Sequence, residues 1–196
     1  MTFTALLLTG GESRRMGTDK ATLNFFGEPL WEKQLRILRE LEPSALMISA
    51  QAKPDWFPEN IELILDEPPS RGPLSGIAAA LNRIRTSHLL ALAIDMPRMS
   101  AAHLKLLLNL ARPGIGVVPA NPNFFEPLCA IYPRESADAA QHALNRGDVR
   151  LQNFVRHLYE ARQITTRAIL DSEKILYQNA NTVQEFENAA DNIRIK

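Results

Sequence analysis

The residues best suited to chemistry in this chain form one loop near its start, directly behind the apolar run Ala5-Leu6-Leu7-Leu8. The loop reads Thr9-Gly10-Gly11-Glu12-Ser13-Arg14-Arg15-Met16-Gly17-Thr18-Asp19-Lys20. Because the adjacent glycines lack Cβ atoms, the backbone can turn sharply and bring its N–H groups close to phosphate oxygens. Arginine supplies a forked donor for such oxygens, and Lys20 supplies a compact charge on a long side chain. The pattern predicts a loop that binds a nucleoside triphosphate after a buried strand.

This loop differs from two common nucleotide-binding motifs. No Gly-Lys-Ser/Thr ends it, which excludes a P-loop, and its second glycine adjoins the first, which excludes Gly-x-Gly-x-x-Gly. The simpler alternative is a Gly-Gly turn followed by a solvated charged segment.

Two carboxylates, Asp66 and Asp95, also follow predicted strands. In an open α/β sheet the ligand lies outside the carboxyl ends of the parallel strands, so both are expected at one edge with the Gly10 loop. Mg²⁺ prefers one or two carboxylates together with phosphate oxygens. Asp95 is therefore the predicted ligand of Mg²⁺. The alternative for Asp95 is an Asp-Met-Pro turn that only ends a strand.

The elements that must position these residues are those of an α/β fold. Short apolar runs alternate with segments of helical period, which predicts a mostly parallel central sheet with helices on both faces. Predicted strands cover residues 5–8, 45–50, 61–65, 88–94, 116–119 and 127–132. Predicted helices cover 29–41, 74–84 and 135–145, with a fourth capped by Ser100 and a last one beginning at Thr182.

Composition limits the class of protein. With 196 residues, 45% of them hydrophobic, the chain suits one domain with a sizeable core. The net charge is zero, so no overall field attracts nucleic acid or an anionic membrane, and neither is predicted as a partner. Cys129 is the only cysteine, which excludes an internal disulfide and fits a reducing compartment. No apolar run approaches the roughly 18 residues of a membrane span. We therefore expect a cytoplasmic location.

Several short motifs in a fixed order give the chain a family resemblance. They are Thr9-Gly10-Gly11, Ser13-Arg14-Arg15-Met16-Gly17, Asp19-Lys20, Asp66, Gly72-Pro73-Leu74-Ser75-Gly76, Asp95-Met96-Pro97, Glu126-Pro127-Leu128 and Asn179-Ala180-Asn181-Thr182. Together they resemble the molybdenum cofactor guanylyltransferases, the molybdopterin-guanine dinucleotide biosynthesis protein A family, nearly from end to end. The resemblance implies a Rossmann-like nucleotidyltransferase fold in a single domain, 1–196. Its nucleotide-binding part would cover about 1–110 and its acceptor-binding part about 111–196.

The resemblance also implies a reaction and a set of site residues. Members of the family transfer GMP from GTP to molybdopterin carrying molybdenum, releasing pyrophosphate and forming the guanine dinucleotide cofactor. No general base is implied, because the attacking phosphate is already ionised. By resemblance, Leu8, Thr9 and Gly10 offer backbone contacts to the nucleotide, Arg15 and Lys20 bind phosphates, Asp66 reaches the nucleoside and Asp95 holds Mg²⁺.

Other implied contacts have alternatives. Asn179, Asn181 and Thr182 match an acceptor-binding motif, yet they are equally typical of a helix cap with its preceding turn. Arg150 is a candidate contact to the acceptor phosphate, with a solvated helix start as the alternative. Ser49 stands where the family commonly has Asn, and Thr9 where it commonly has Ala; both stay in the expected nucleotide-binding set. A GTP-binding adapter or a molybdoenzyme chaperone is an expected partner by resemblance.

Other functions stay open beside guanylyl transfer. One is a CTP-dependent molybdopterin cytidylyltransferase or a sugar-phosphate nucleotidyltransferase. Gly10-Gly11 and the Gly72 to Gly76 turn resemble the guanine-selecting forms of these motifs, which favours GTP. The other is a non-catalytic nucleotide-binding homologue. The presence of both Lys20 and Asp95 argues against it, since a sensor has no need of an intact metal site.

Overall fold

The computed structural model describes residues 1–10, 19–25, 27–65 and 71–180, and a seven-stranded β-sheet forms its centre. In chain order the strands are β1 (Phe3–Leu8), β2 (Asn24–Phe25), β3 (Glu28–Pro29), β4 (Ala45–Ala50), β5 (Glu62–Leu65), β6 (His88–Ala93), β7 (Gly116–Ala120), β8 (Cys129–Pro133) and β9 (Ile164–Ala168). The order across the central sheet is β5-β4-β1-β6-β8-β7-β9, and β2 and β3 form a separate small hairpin.

The central sheet is mostly parallel, as predicted. β1 pairs in parallel with β4 and β6, β4 with β5, and β7 with β9. β8 runs antiparallel to both of its neighbours, β6 and β7. All residues of β1 and β6 are buried, which explains their unbroken apolar runs, since a central parallel strand is covered on both faces.

In the described part of the chain, five α-helices cover the two faces of the sheet. They are α1 (Leu30–Arg39), α2 (Pro73–Arg83), α3 (Ala101–Leu110), α4 (Ala137–Asn145) and α5 (Leu151–Glu160). Apolar residues of α1 and α3 belong to the core cluster on one face, and those of α2, α4 and α5 to the cluster on the other. Short 3-10 helices cover Lys20–Thr22, Arg134–Ser136 and Asp171–Tyr177. The architecture is the Rossmann-like arrangement expected from the sequence.

Most predicted elements are confirmed with small shifts of their ends. The strand at 45–50 has the predicted bounds, and Ser100 caps α3, where its Oγ accepts a hydrogen bond from the His103 N–H. The sequence prediction did not include α5, β9 or the reversed direction of β8. The helix predicted to begin at Thr182 lies outside the described residues. Within the described part of the chain, no helix is long and apolar enough to cross a membrane.

The Gly72-Pro73-Leu74-Ser75-Gly76 motif starts α2 and sets how closely this helix approaches the sheet. Gly72 has a φ of 74°, a conformation that favours glycine, and Pro73 follows in the first helical turn. A Cβ built on Gly76 would lie 2.2 Å from Ser49 Oγ and 3.2 Å from Leu8 Cδ2. Gly76 therefore lets α2 rest directly on the ends of β1 and β4.

We expect Gly76→Ala to lower the free energy of unfolding by on the order of 1–3 kcal/mol, because the added methyl overpacks this contact. Helix propensity alone predicts the opposite sign, a gain of about 1 kcal/mol. Urea unfolding followed by circular dichroism measures the change. The double variant Gly76→Ala/Ser49→Ala removes the clashing hydroxyl and should recover part of the loss. A single variant as stable as the parent would contradict this account of Gly76.

Candidate active site

Three parallel strands deliver the candidate site residues to one edge of the sheet. β1, β4 and β6 end at Leu8, Ala50 and Ala93, and hydrogen bonds join the chain just beyond these ends. The Thr9 N–H and the Thr9 hydroxyl each donate to the Ser49 carbonyl at 2.9 Å. The Ile94 N–H donates to the Leu8 carbonyl at 3.0 Å. The start of the glycine loop is thus fixed against both neighbouring strands.

Asp95 lies at this edge, just after β6. Its Oδ1 atom is buried and has no hydrogen-bond partner among the described residues. Burial raises the pKa of the Asp95 carboxyl above its ordinary value, and the positive charge of Lys20 opposes that rise. A buried oxygen acceptor beside a cation is suited to receive a further positively charged ligand.

Lys20 reaches the neighbourhood of Asp95 from a short turn. Asp19 caps the 3-10 helix Lys20–Thr22, because its Oδ1 accepts the Ala21 N–H at 3.0 Å. Its carbonyl accepts both the Thr22 N–H at 3.0 Å and the Thr22 hydroxyl at 2.8 Å. The lysine is half-buried. The structure therefore brings Lys20 and Asp95 together, although 75 positions separate them in sequence.

Glu126 is a second carboxylate at this edge, to which the sequence analysis gave no role. It lies in the loop 121–128 between β7 and β8, where its N–H donates to the Pro119 carbonyl at 2.8 Å. Gln152 holds the preceding residue, Phe125, by accepting its N–H at 3.0 Å and donating to its carbonyl at 2.9 Å. Burial, and then the negative charge of Asp95, raise the pKa of Glu126 to about 7. The two carboxylates therefore lie close enough for the charge of one to affect the other.

The sequence contained a signal for Glu126 that went unused. Parallel strands need a crossover of a dozen or more residues, and the loop 121–128 is too short for one. The strand after this loop must therefore run antiparallel, so the loop itself lies at the carboxyl edge of the sheet.

A segment after β9 returns to the same edge. The Ala180 N–H donates to the Asp95 carbonyl at 2.9 Å, so the exposed Asn179 lies next to the site. The 3-10 helix Asp171–Tyr177 anchors this segment, because the Tyr177 hydroxyl and His103 Nε2 share a buried 2.6 Å hydrogen bond.

An ion pair holds the same helix to β9. Glu173 forms a forked pair with Arg167, with one contact of 2.6 Å and both side chains 16% exposed. Hydrogen bonding to Arg167 lowers the pKa of Glu173 to about 2. The pair therefore keeps its charge at neutral pH and fixes the route of the chain toward Asn179.

The remaining predicted residues are placed differently. Ser49 is 2% exposed, with its side chain under α2 and its carbonyl bound to Thr9, so its predicted nucleotide contact stays a prediction. Arg150 precedes α5, where its side chain is 81% exposed and 3.7 Å from Asp148. Four predicted residues lie outside the described part of the chain: Arg15, Asp66, Asn181 and Thr182.

Comparisons with known proteins identify the family to which the chain belongs. The profile of the MobA-like NTP transferase domain matches residues 5–163. A probable molybdenum cofactor guanylyltransferase from Opitutus terrae is 36% identical over 182 residues, which cover 91% of this chain and 90% of that protein. A molybdenum cofactor guanylyltransferase from Pseudomonas fluorescens is 35% identical over 148 residues, 73% of this chain and 74% of that protein.

Solved structures share the fold. Molybdopterin-guanine dinucleotide biosynthesis protein A from Archaeoglobus fulgidus superposes with a TM-score of 0.73 at 23% identity, over 98% of this chain and 100% of that one. A 4-diphosphocytidyl-2C-methyl-D-erythritol synthase from Anaerococcus prevotii also gives 0.73, at 9% identity and 98% coverage of both chains. The fold alone therefore does not identify the substrate. The sequence profile and the relatives that align over most of their length do assign the family: the chain belongs to the MobA-like NTP transferase domain family and is a nucleotidyltransferase.

Proposed function

We propose that this protein transfers GMP from GTP to molybdopterin carrying molybdenum, releasing pyrophosphate and forming the guanine dinucleotide cofactor. The observation that carries the proposal is the electrostatic interaction of Lys20 with the Asp95 carboxylate, whose Oδ1 atom is buried. Both residues lie at the edge of the sheet where Thr9 and Gly10 follow β1. The substrate class comes from the relatives, which are named molybdenum cofactor guanylyltransferases.

The proposed reaction is an in-line displacement at phosphorus. An oxygen of the acceptor phosphate attacks the α-phosphorus of GTP and forms a new P–O bond. The bond from the α-phosphorus to the bridging oxygen breaks, and its electron pair leaves with pyrophosphate. Such a step needs alignment of two anions and neutralisation of their charge more than covalent help from the protein. Lys20 supplies one positive charge, and we propose that Arg15 supplies another.

The residues at this edge fit Mg²⁺. Asp95 presents a buried oxygen without a partner in the described structure, and Glu126 is a second carboxylate within electrostatic reach of it. Among the described residues no cluster of three or more His, Cys, Asp or Glu could hold a metal, so phosphate oxygens and water would complete the coordination. Mg²⁺ typically has this coordination, with one or two protein carboxylates and oxygens of the substrate phosphates as ligands. When bound there, Mg²⁺ would supply positive charge to the phosphate oxygens.

The two substrates would approach from opposite sides of Asp95. We propose that the nucleotide lies over β1 and β4, against the backbone of Leu8, Thr9 and Gly10, with Asp66 toward the nucleoside. The acceptor would lie toward the C-terminal part of the chain. Candidate acceptor contacts are Asn179, Asn181, Thr182 and Arg150. Because Asn179 adjoins the Ala180 N–H that binds Asp95, it has the strongest structural support. This arrangement corresponds to the expected parts, about 1–110 and about 111–196.

The choice of GTP rests on sequence motifs, and one of them has a second explanation. Gly76 is needed for the close approach of α2 to Ser49, whichever base is bound. A CTP-dependent or sugar-phosphate nucleotidyltransferase therefore stays the alternative. A non-catalytic homologue is disfavoured, since a buried carboxylate beside a lysine costs stability that mere nucleotide binding does not require. A cytoplasmic location and a GTP-binding adapter or molybdoenzyme chaperone as partner stay predictions.

The test is dinucleotide formation from molybdenum-loaded molybdopterin and Mg²⁺ with GTP or CTP. We expect product from GTP, and a loss of turnover on the order of a hundredfold in Asp95→Asn and in Lys20→Ala, because each removes a preorganised electrostatic contact. Asp138→Asn and Lys105→Ala, exposed on α4 and α3, are matched controls that should keep turnover. Product from CTP alone would overturn the guanine assignment, and full turnover in both site variants would overturn the assigned roles.

The raised pKa of Glu126 predicts how stability depends on pH without metal. Its folded pKa of about 7 lies above the ordinary value of 4.5, so its contribution is complete below pH 4.5 and is lost as pH rises through 7. The side chain of Glu126→Gln does not ionise, so this variant does not lose stability for this reason as the pH rises. In EDTA we therefore expect the variant to unfold at a higher temperature than the wild type at pH 8, with little difference near pH 4.5.

Adding Mg²⁺ should reduce the difference in melting temperature between Glu126→Gln and the wild type at pH 8. A metal that binds the folded state raises its stability, so MgCl₂ at pH 8 should raise the melting temperature of the wild type more than that of Glu126→Gln. Glu135→Gln, an exposed change at the opposite edge of the sheet, is the control for loss of a charge. A Glu126→Gln protein that melts below the wild type in EDTA at pH 8 would contradict the unfavourable burial of the Glu126 charge near Asp95.

A further inference from the structure

Asp19 joins the Lys20 turn to a distant loop of the protein. One carboxylate oxygen, Oδ1, accepts the Ala21 N–H at 3.0 Å and so caps the turn. The other, Oδ2, accepts the indole N–H of Trp56 at 2.7 Å. Both oxygens of Asp19 are thus occupied by fixed donors, and its orientation is set from two sides.

Trp56 is itself held in place by a second tryptophan. It lies in the loop between β4 and β5, and its ring stacks on Trp31 in the first turn of α1 at a centroid distance of 5.2 Å and an interplanar angle of 15°. Stacked aromatic pairs of this kind are stabilising beyond the area they bury. The stack therefore fixes the position and direction of the indole N–H, although Trp56 lies in a loop.

These contacts connect two other segments, α1 and the loop between β4 and β5, to the turn that carries the lysine of the site. Trp31 belongs to α1, and its ring stacks on Trp56. The indole N–H of Trp56 donates to Asp19, which caps the turn that begins at Lys20. We propose that Trp56 is a positioning residue for phosphate binding: through Asp19 it fixes the direction of Lys20 toward the triphosphate. It touches neither substrate nor metal, and its effect passes through Lys20. This inference rests on the proposed function only in naming the triphosphate as the anion.

The physical reason is preorganisation. A lysine side chain has many rotamers, and a loop with several glycines has many backbone conformations, so ordering them on binding costs conformational free energy. A turn fixed before the ligand arrives reduces that cost and raises affinity without adding a contact. The indole N–H is well suited to this task, because its bond to a charged carboxylate is stronger than a bond between neutral groups.

The test uses inorganic tripolyphosphate and calorimetry on the full chain, so that neither the base nor the acceptor enters the measurement. Trp56→Phe keeps an aromatic ring for the stack and removes the N–H. Asp19→Asn remains a good cap for the turn but turns an N–H₂ group or a single oxygen toward two donors. We expect each change to weaken tripolyphosphate binding on the order of tenfold, the usual effect of losing one hydrogen bond to a charged group.

Two double variants separate positioning from a general loss of structure. Trp56→Phe with Asp19→Asn should bind no worse than Asp19→Asn alone, since both changes break the same bond. In a Lys20→Ala background, Trp56→Phe should cause no further loss, because Trp56 acts through that lysine. Tyr159→Phe, which removes a polar atom from an exposed ring on α5, is the matched control and should bind as the wild type does.

The binding measurements test the positioning role of Trp56 separately from the proposed function. Wild-type affinity in Trp56→Phe, or an undiminished loss in the Lys20→Ala background, would overturn the positioning role. Failure of the wild type to bind tripolyphosphate would also overturn it. If binding behaves as expected but no dinucleotide forms from GTP or CTP, the positioning role stands and the proposed function fails.

Discussion

The half-buried carboxylate of Asp95, with its buried Oδ1 atom, imposes the electrostatic constraint on which the rest of the site depends. Removing an ionised oxygen from water without a hydrogen-bond partner costs free energy, and the raised pKa of this group records that cost. Lys20 offsets the cost in part, and the negative charge of Asp95, after burial, contributes to the raised pKa of Glu126. The folded protein thus keeps an electrostatically incomplete site, which is expected where stability is given up for binding or catalysis.

The route of the chain after β6 explains how this incompleteness arises. Had β8 run parallel to its neighbours, a long crossover would have replaced the short loop 121–128, and this loop would not have placed Glu126 at the edge where Asp95 lies. The reversed strand places the loop at the carboxyl edge, and Gln152 on α5 holds it there through both backbone groups of Phe125. One change of strand direction therefore creates the second carboxylate of the site.

Sequence patterns predicted the parts of the fold that follow from local chemistry. Buried parallel strands such as β1 and β6 are recognisable as unbroken apolar runs, and a capping serine before spaced leucines predicts α3. The prediction failed for β9, because only Ile164 of its five residues is buried and the pattern has no alternation. The contact of Trp56 with Asp19 was also beyond local patterns, since 37 positions separate the two residues. Such long-range contacts arise from the packing of complete elements.

Asp95 also connects the two sides of the proposed reaction. Its carboxylate interacts with the charge of Lys20, while its backbone carbonyl accepts the Ala180 N–H beside Asn179. Displacement at phosphorus requires the attacking and leaving oxygens to be aligned with the α-phosphorus, and misplacement by about 1 Å can cost on the order of a hundredfold in rate. Because Asp95 would belong to both sides, the proposed acceptor segment and the proposed metal ligand are linked through this one backbone hydrogen bond. The Arg167–Glu173 pair, which joins β9 to the 3-10 helix, would then contribute to alignment by fixing the path of the chain to Ala180.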